Sequence, residues 1–243
     1  MVAKVDLNSM KHAVFFLIAT FILSFSSSAL AAPKALVYNG AGACAENCAK
    51  AAYDIAAKAG FDPVYVGDDE SDPKIFDSAA VWIQPGGHAS LAMTSMADAL
   101  KTNLKNFINQ GGGYVGFCAG AFVATEMVGN TKVNGLGIIP GNTTLFGSGV
   151  DLKKFTWNGS ERYLYWEGGP YFSNMPSSVE QIGAYPDGSS ATVRTSYGKG
   201  RVYITGAHPE APQQWKDYNR LNDPDGDDSD LVVQMLSWVT ESH

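Results

Sequence analysis

Gly113-Tyr-Val-Gly-Phe-Cys-Ala-Gly-Ala121 is the stretch on which the reading of this chain turns. An apolar run, Tyr114 to Phe117, delivers Cys118 into a turn of small residues, and a helical pattern from Ala119 to Met127 follows at once. A strand that passes straight into a helix through such a turn exposes one side chain at the carboxyl edge of a sheet, the arrangement called a nucleophile elbow. Gly116 and Gly120 flank the cysteine because so tight a turn leaves no room for neighbouring Cβ atoms. A thiol placed there sits at a helix N-terminus, where the peptide dipoles favour the thiolate. The pattern points to a reactive Cys118, set against the plainer reading of a small buried hydrophobe at a strand end.

Working outward, the first half alternates short apolar runs with helical patterns, the βαβ signature of a parallel sheet. Strands are predicted over Lys34–Tyr38, Pro63–Val66 and Ala79–Gln84, with helices over Ala45–Ala59 and Ser95–Gln110. These strands are nearly continuously apolar, as helices covering both sheet faces require. From Gly135 to Gly206 the character changes to Gly-rich turns between aromatic and β-branched runs: Lys154–Trp157, Arg162–Trp166, Glu180–Tyr185, Ala191–Thr195 and Arg201–Thr205. Pro186-Asp-Gly188 and Tyr197-Gly-Lys-Gly200 read as the turns between them. A last helix is predicted from about Asp230 to Thr240, with Asp228 or Ser229 as its N-cap. The expected fold is an open, mostly parallel α/β sheet of flavodoxin-like type, with an antiparallel β excursion in the second half.

The 243 residues, 45% hydrophobic and 17% charged, suit a soluble globular chain. Residues 1–31 read as a secretory signal peptide: Lys11 and His12, an apolar run from Ala13 to Phe25, and an A-x-A site ending at Ala31. Met10-Lys11 resembles a natural start within that segment. Taking 31 residues from 243 leaves 212, enough for a single α/β domain over 32–243. The expected location is secreted or periplasmic, with no membrane partner after cleavage. A net charge of −7 without a basic cluster argues against nucleic acid, which leaves a small molecule as the expected partner.

In an oxidising compartment an odd cysteine count leaves one thiol over. Cys44 and Cys48 are either a disulfide across a distorted helical turn or two reduced thiols, and Cys118 is the thiol left over. No Cys/His cluster has ligand spacing, so neither metal nor cofactor is expected.

Three motifs fall at predicted strand ends, in the order Pro85-Gly-Gly87, Gly116-x-Cys118-x-Gly120 and His208-x-Glu210. Strand carboxyl ends gather at one crevice of an open α/β sheet, so distance in sequence does not keep them apart. A cysteine nucleophile needs a base, and the base needs an orienting acceptor. His208 and Glu210 are of those types, and the N–H groups of Gly87 and Ala119, with Gly86 beside them, are candidate oxyanion donors. His88, directly after the glycines, is a rival base or a substrate contact.

These residues carry a resemblance. Pro-Gly-Gly, Gly-Phe-Cys-Ala-Gly and His-Pro-Glu resemble the signatures of class I glutamine amidotransferase-like domains, in the superfamily that includes the DJ-1/PfpI proteins. Val37-Tyr-Asn-Gly40, Gly116-Phe-Cys-Ala-Gly120, Trp166-Glu-Gly-Gly-Pro-Tyr-Phe172 and Ser196-Tyr-Gly-Lys-Gly200 are more closely similar to the N-terminal domain of eukaryotic-type biotin–protein ligases, which also occurs alone in secreted proteins. The resemblance implies a Cys118–His208–Glu210 triad and an oxyanion hole at Gly86, Gly87 and Ala119. It implies neither ammonia transfer nor biotin transfer, because no synthase or ligase region accompanies the domain.

Trp166 and Glu167, before a Gly-Gly-Pro turn, are expected either to wall the cleft with Tyr171 and Phe172 or to pack the hairpin on the sheet. Asn39 and Gly40 end the first strand at the same edge and are candidate substrate contacts. The acidic run Asn222–Asp230 has five aspartates but not the spacing of a calcium loop, and is expected to be a solvated loop capping the last helix. The leading expectation is a thiol-dependent hydrolase acting on an amide or related acyl group. A ligand-binding module without turnover and a DJ-1-like thiol protein are the alternatives.

Overall fold

The computed structural model describes residues 31–241, so the expected signal segment lies outside the described residues except for Ala31. Strands β1 (Lys34–Tyr38), β2 (Asp62–Val66), β3 (Ala79–Gln84), β4 (Gly113–Phe117) and β11 (Gly200–Thr205) run parallel in the order β2-β1-β3-β4-β11. That is the doubly wound order in which ligands bind beyond the strands' carboxyl ends. The sheet continues antiparallel through β10 (Ser190–Tyr197), β9 (Glu180–Ala184), β6 (Val150–Trp157) and β7 (Ser160–Glu167). A further pair, β5 (Asn142–Leu145) with β8 (Pro170–Ser173), joins at β10.

Alternation along the strands explains two cores. Leu36, Trp82 and Tyr114 face one side, where α2 (Ala89–Ser95), α3 (Asp98–Asn109) and α4 (Ala119–Ala124) cover them. Val37, Val81, Ile83 and Val115 face the other, under α1 (Lys50–Lys58) and α6 (Ser229–Thr240). Every residue of β4 is buried, which is why its sequence shows no polar alternation. A short helix, α5 (Gln213–Tyr218), lies between β11 and α6.

Several elements depart from expectation. The helix expected over Ala45–Ala59 begins as a π-helical turn, Ala45–Ala49, before α1 proper. The helix expected from Ser95 is two, because Met96 and Ala97 are extended between α2 and α3. The helix after Cys118 ends at Ala124, where the Thr125 hydroxyl turns back to the Phe122 carbonyl at 3.0 Å.

The acidic loop caps the last helix and leaves Asp227 and Asp230 in solvent, but it buries Asp223 and Asp228 against two cations. Lys216, 2% exposed, lies against Asp223, Asp228 and the Gly226 carbonyl, while Arg162 bonds Asp228 at 2.9 Å and Asp230 at 2.7 Å. Asp228 is the N-cap of α6, as expected, but the side chain that accepts the Ser229 amide, at 2.7 Å, is that of Asp227.

Candidate active site

Cys118 directly follows β4 with φ 48° and ψ −103°, backbone that glycine adopts freely and an L-residue adopts under strain. Its glycine neighbours serve a different need. A Cβ on Gly116 would lie 2.6 Å from the Gly120 carbonyl oxygen, and one on Gly120 would strike the Gln84 carbonyl. The glycines therefore let α4 press down on β3 and β4, while the cysteine itself takes the unfavourable dihedral.

His208 arrives on the loop after β11, the strand next to β4, so sheet adjacency brings imidazole and thiol together. The Cys118 amide donates to Thr205 at 2.9 Å, and the His208 amide donates to the Tyr165 carbonyl of β7 at 2.9 Å. His208 Nδ1 lies 2.8 Å from Glu210 Oε1, with both side chains almost wholly buried at 3% and 0% exposure. Burial alone would push this imidazole down. The Glu210 carboxylate and the Cys118 sulphur outweigh it, and His208 is held well above the ordinary histidine range. The thiol donates to the Glu167 carbonyl at 3.3 Å, and the sulphur also interacts with the imidazole.

The amides of Gly87 and Ala119 make no hydrogen bond among the described residues, whereas the next one along, His88, donates to Gly42 at 2.8 Å. Gly87 has φ +127°, and a Cβ there would run into the Gly42 carbonyl. Gly86 lies under the imidazole: a Cβ on it would be 2.5 Å from His208 Cε1. A cavity of about 450 Å³ opens over Cys118, lined by Gly87, His88, Ala119, Phe122, Asn130, Leu145 and Glu167 among others.

Other predicted contacts lie elsewhere. Trp166 is buried in the second core and donates to the Tyr185 hydroxyl at 3.2 Å. Tyr171 packs edge-on to Phe146, so the aromatic run packs the hairpin on the sheet and does not wall the cavity. Asn39 donates its amide to Val66 at 2.8 Å, and Gly40 is closed in by Tyr38 and Asp68; neither lines the cavity. His88 is at the cavity but its Nδ1 accepts from the Leu91 amide at 3.1 Å, capping α2. Of the two alternatives for Cys44 and Cys48, the reduced one is found: all three cysteines are free thiols. The π-helical turn brings the two side chains only into hydrogen-bonding contact, and burial followed by Cys44 pushes the Cys48 thiol up.

Phe122, Asn130 and Leu145 were not legible as cavity residues: Phe122 lies on α4, Leu145 ends β5, and only the closed fold brings them with Asn130 to Cys118. Tyr165, which packs edge-on against the His208 ring, carried only a strand signal.

Residues 34–146 match the family model described as biotin-protein ligase, N terminal. Over that segment the chain is similar to biotin–protein ligase N-terminal domains. It is 25% identical over 166 residues to the biotin–protein ligase of Schizosaccharomyces pombe, and the match spans 55% of this chain but only 26% of that protein. It is also 25% identical over 158 residues to the imidazole glycerol phosphate synthase subunit HisH of Herpetosiphon aurantiacus, across 60% of this chain and 75% of that one. Among solved structures it is similar to PurLQS from Thermotoga maritima, at TM-score 0.63 and 19% identity over 84% of this chain and 97% of that one. A glutamine amidotransferase structure matches at TM-score 0.59 and 18% identity, over 73% and 90%. The chain thus has the glutamine amidotransferase-like α/β fold.

Proposed function

We propose that this protein is a thiol-dependent hydrolase acting on an amide or related acyl group of a small molecule. The observation that supports it best is the buried His208–Glu210 pair beside a cysteine held at φ 48°. His208 removes the Cys118 proton and the sulphur adds to the substrate carbonyl. The oxyanion is held by the Gly87 and Ala119 amides. The tetrahedral adduct collapses as His208 returns the proton to the leaving amine, giving a thioester on Cys118. Water, deprotonated by His208, then adds to the thioester, and collapse releases the acid and restores the thiol. Glu210 holds the imidazole by Nδ1 throughout and stabilises its charged form. In keeping with the reading of residues 1–31, the chain acts after export, in the periplasm or outside the cell.

The test is ammonia release from butyramide, 4-aminobutyramide and succinamate, with mass spectrometry of quenched enzyme. Release with an acyl mass on the Cys118 peptide, both lost in Cys118→Ala, is the expected result. No release and no adduct from any of the three at millimolar concentration would overturn the proposal.

A further inference from the structure

We infer that the cavity over Cys118 selects substrates carrying a positive charge near the reacting carbonyl, with Glu167 as their counter-ion. This rests on the reading of Cys118 as the nucleophile. Glu167 ends β7, and its own carbonyl accepts the Cys118 thiol at 3.3 Å, so the residue is fixed directly beside the reacting sulphur. Its carboxylate is oriented by a short chain: Asn219 donates to the Tyr165 hydroxyl at 3.2 Å, and that hydroxyl donates to Glu167 Oε2 at 3.1 Å. The other oxygen has no hydrogen bond and the carboxylate no ion pair among the described residues.

The rest of the cavity gives that charge no balance. No lysine or arginine lines it, and the Nδ1 of His88 is taken up by the Leu91 amide. Phe122, Val128 and Leu145 supply apolar wall. Such a site rewards an ammonium or amidinium group, which gains the carboxylate and can lie against the phenyl ring. It disfavours a carboxylate in the same place, which meets a like charge and finds no cation. A volume of about 450 Å³ suits a small amide rather than a folded protein side.

The test separates charge selection from turnover. Cys118 is modified with methanethiosulfonates bearing aminoethyl, methyl or sulfonatoethyl groups, and each rate is divided by that of exposed Cys44 in the same molecule, read by peptide mass spectrometry. Expected is an aminoethyl-to-sulfonatoethyl ratio of about tenfold or more, one factor of ten being ~1.4 kcal/mol. Glu167→Gln should cut that ratio about tenfold, and Glu161→Gln, six residues away on the same strand, should leave it unchanged. A ratio near one in the wild type, a ratio unmoved by Glu167→Gln, or a Cys118 that none of the reagents reaches overturns the inference. If the ratio behaves as expected while no amide is hydrolysed, the charge selection holds and the hydrolase reading fails. If amides are hydrolysed without regard to Glu167, the reverse is true.

Discussion

Glu210 grips His208 at 2.8 Å through one oxygen while its other oxygen, buried, has no hydrogen-bond partner. A carboxylate this poorly solvated depends on the imidazolium for compensation, which ties the protonation of the pair together. Replacing Glu210 by Gln removes the largest influence raising His208, so the imidazole should lose its proton at a lower pH. NMR titration of the histidine rings checks this, and an unchanged His208 titration would show that the pairing is not what holds the proton.

If the three residues act as one unit, their losses will not add. Cys118→Ala and His208→Ala should each remove amide hydrolysis by ~10³-fold or more, and the double variant should be no worse than either. Steady-state kinetics on whichever amide is turned over provides the measurement. Losses that multiply would mean that His208 acts independently of the thiol.

The elbow dihedral predicts an inversion of the usual order of stability. Glycine relieves the strain at φ 48° while alanine keeps it, so Cys118→Gly should be more stable than Cys118→Ala by about 1–2 kcal/mol. Chemical denaturation of the two variants decides it. Equal midpoints would mean that the turn has relaxed around alanine.

Lys216 is a buried cation among aspartates, and removing one partner of such a group strands the others. Lys216→Met should cost about 3–5 kcal/mol, and adding Asp223→Leu should recover part of it. Thermal or denaturant unfolding gives the comparison.

Asp228 is pushed up to about 6, chiefly by burial. The folded state therefore binds this proton more tightly than the unfolded chain does. Between about pH 4 and 6 its contribution to stability falls as pH rises, opposite in sign to Asp227 and Asp230, whose carboxyls are held low. The difference in unfolding midpoint between wild type and Asp228→Asn should carry that slope across pH 4–6 and flatten above it.

Strands β1, β3 and β4 were readable because they are buried on both faces, and Lys34–Tyr38 and Ala79–Gln84 fall where their apolar runs do. Cys118, His208 and Glu210 were readable because each follows a strand end, and strand ends converge. Side-chain direction was not readable for Trp166 and Tyr171: an aromatic run beside glycines looks alike whether it lines a cleft or fills a core. Nor was the cation in the acidic loop. Lys216 lies in another helix segment, and only the closed fold brings it to Asp223 and Asp228. The π-helical opening at Ala45–Ala49 was not readable either; it follows Cys44, whose left-handed backbone, φ 53°, no local pattern announces.

Strand β7 touches both partners of the proposed reaction, taking the His208 amide on Tyr165 and the Cys118 thiol on Glu167. It belongs to the antiparallel extension, not to the parallel core that supplies the cysteine. The extension is then a ruler: it fixes the gap between sulphur and imidazole from outside the framework that bears them. Anyone transplanting this thiol and histidine onto a bare five-stranded scaffold would have to carry that strand along, or lose the spacing.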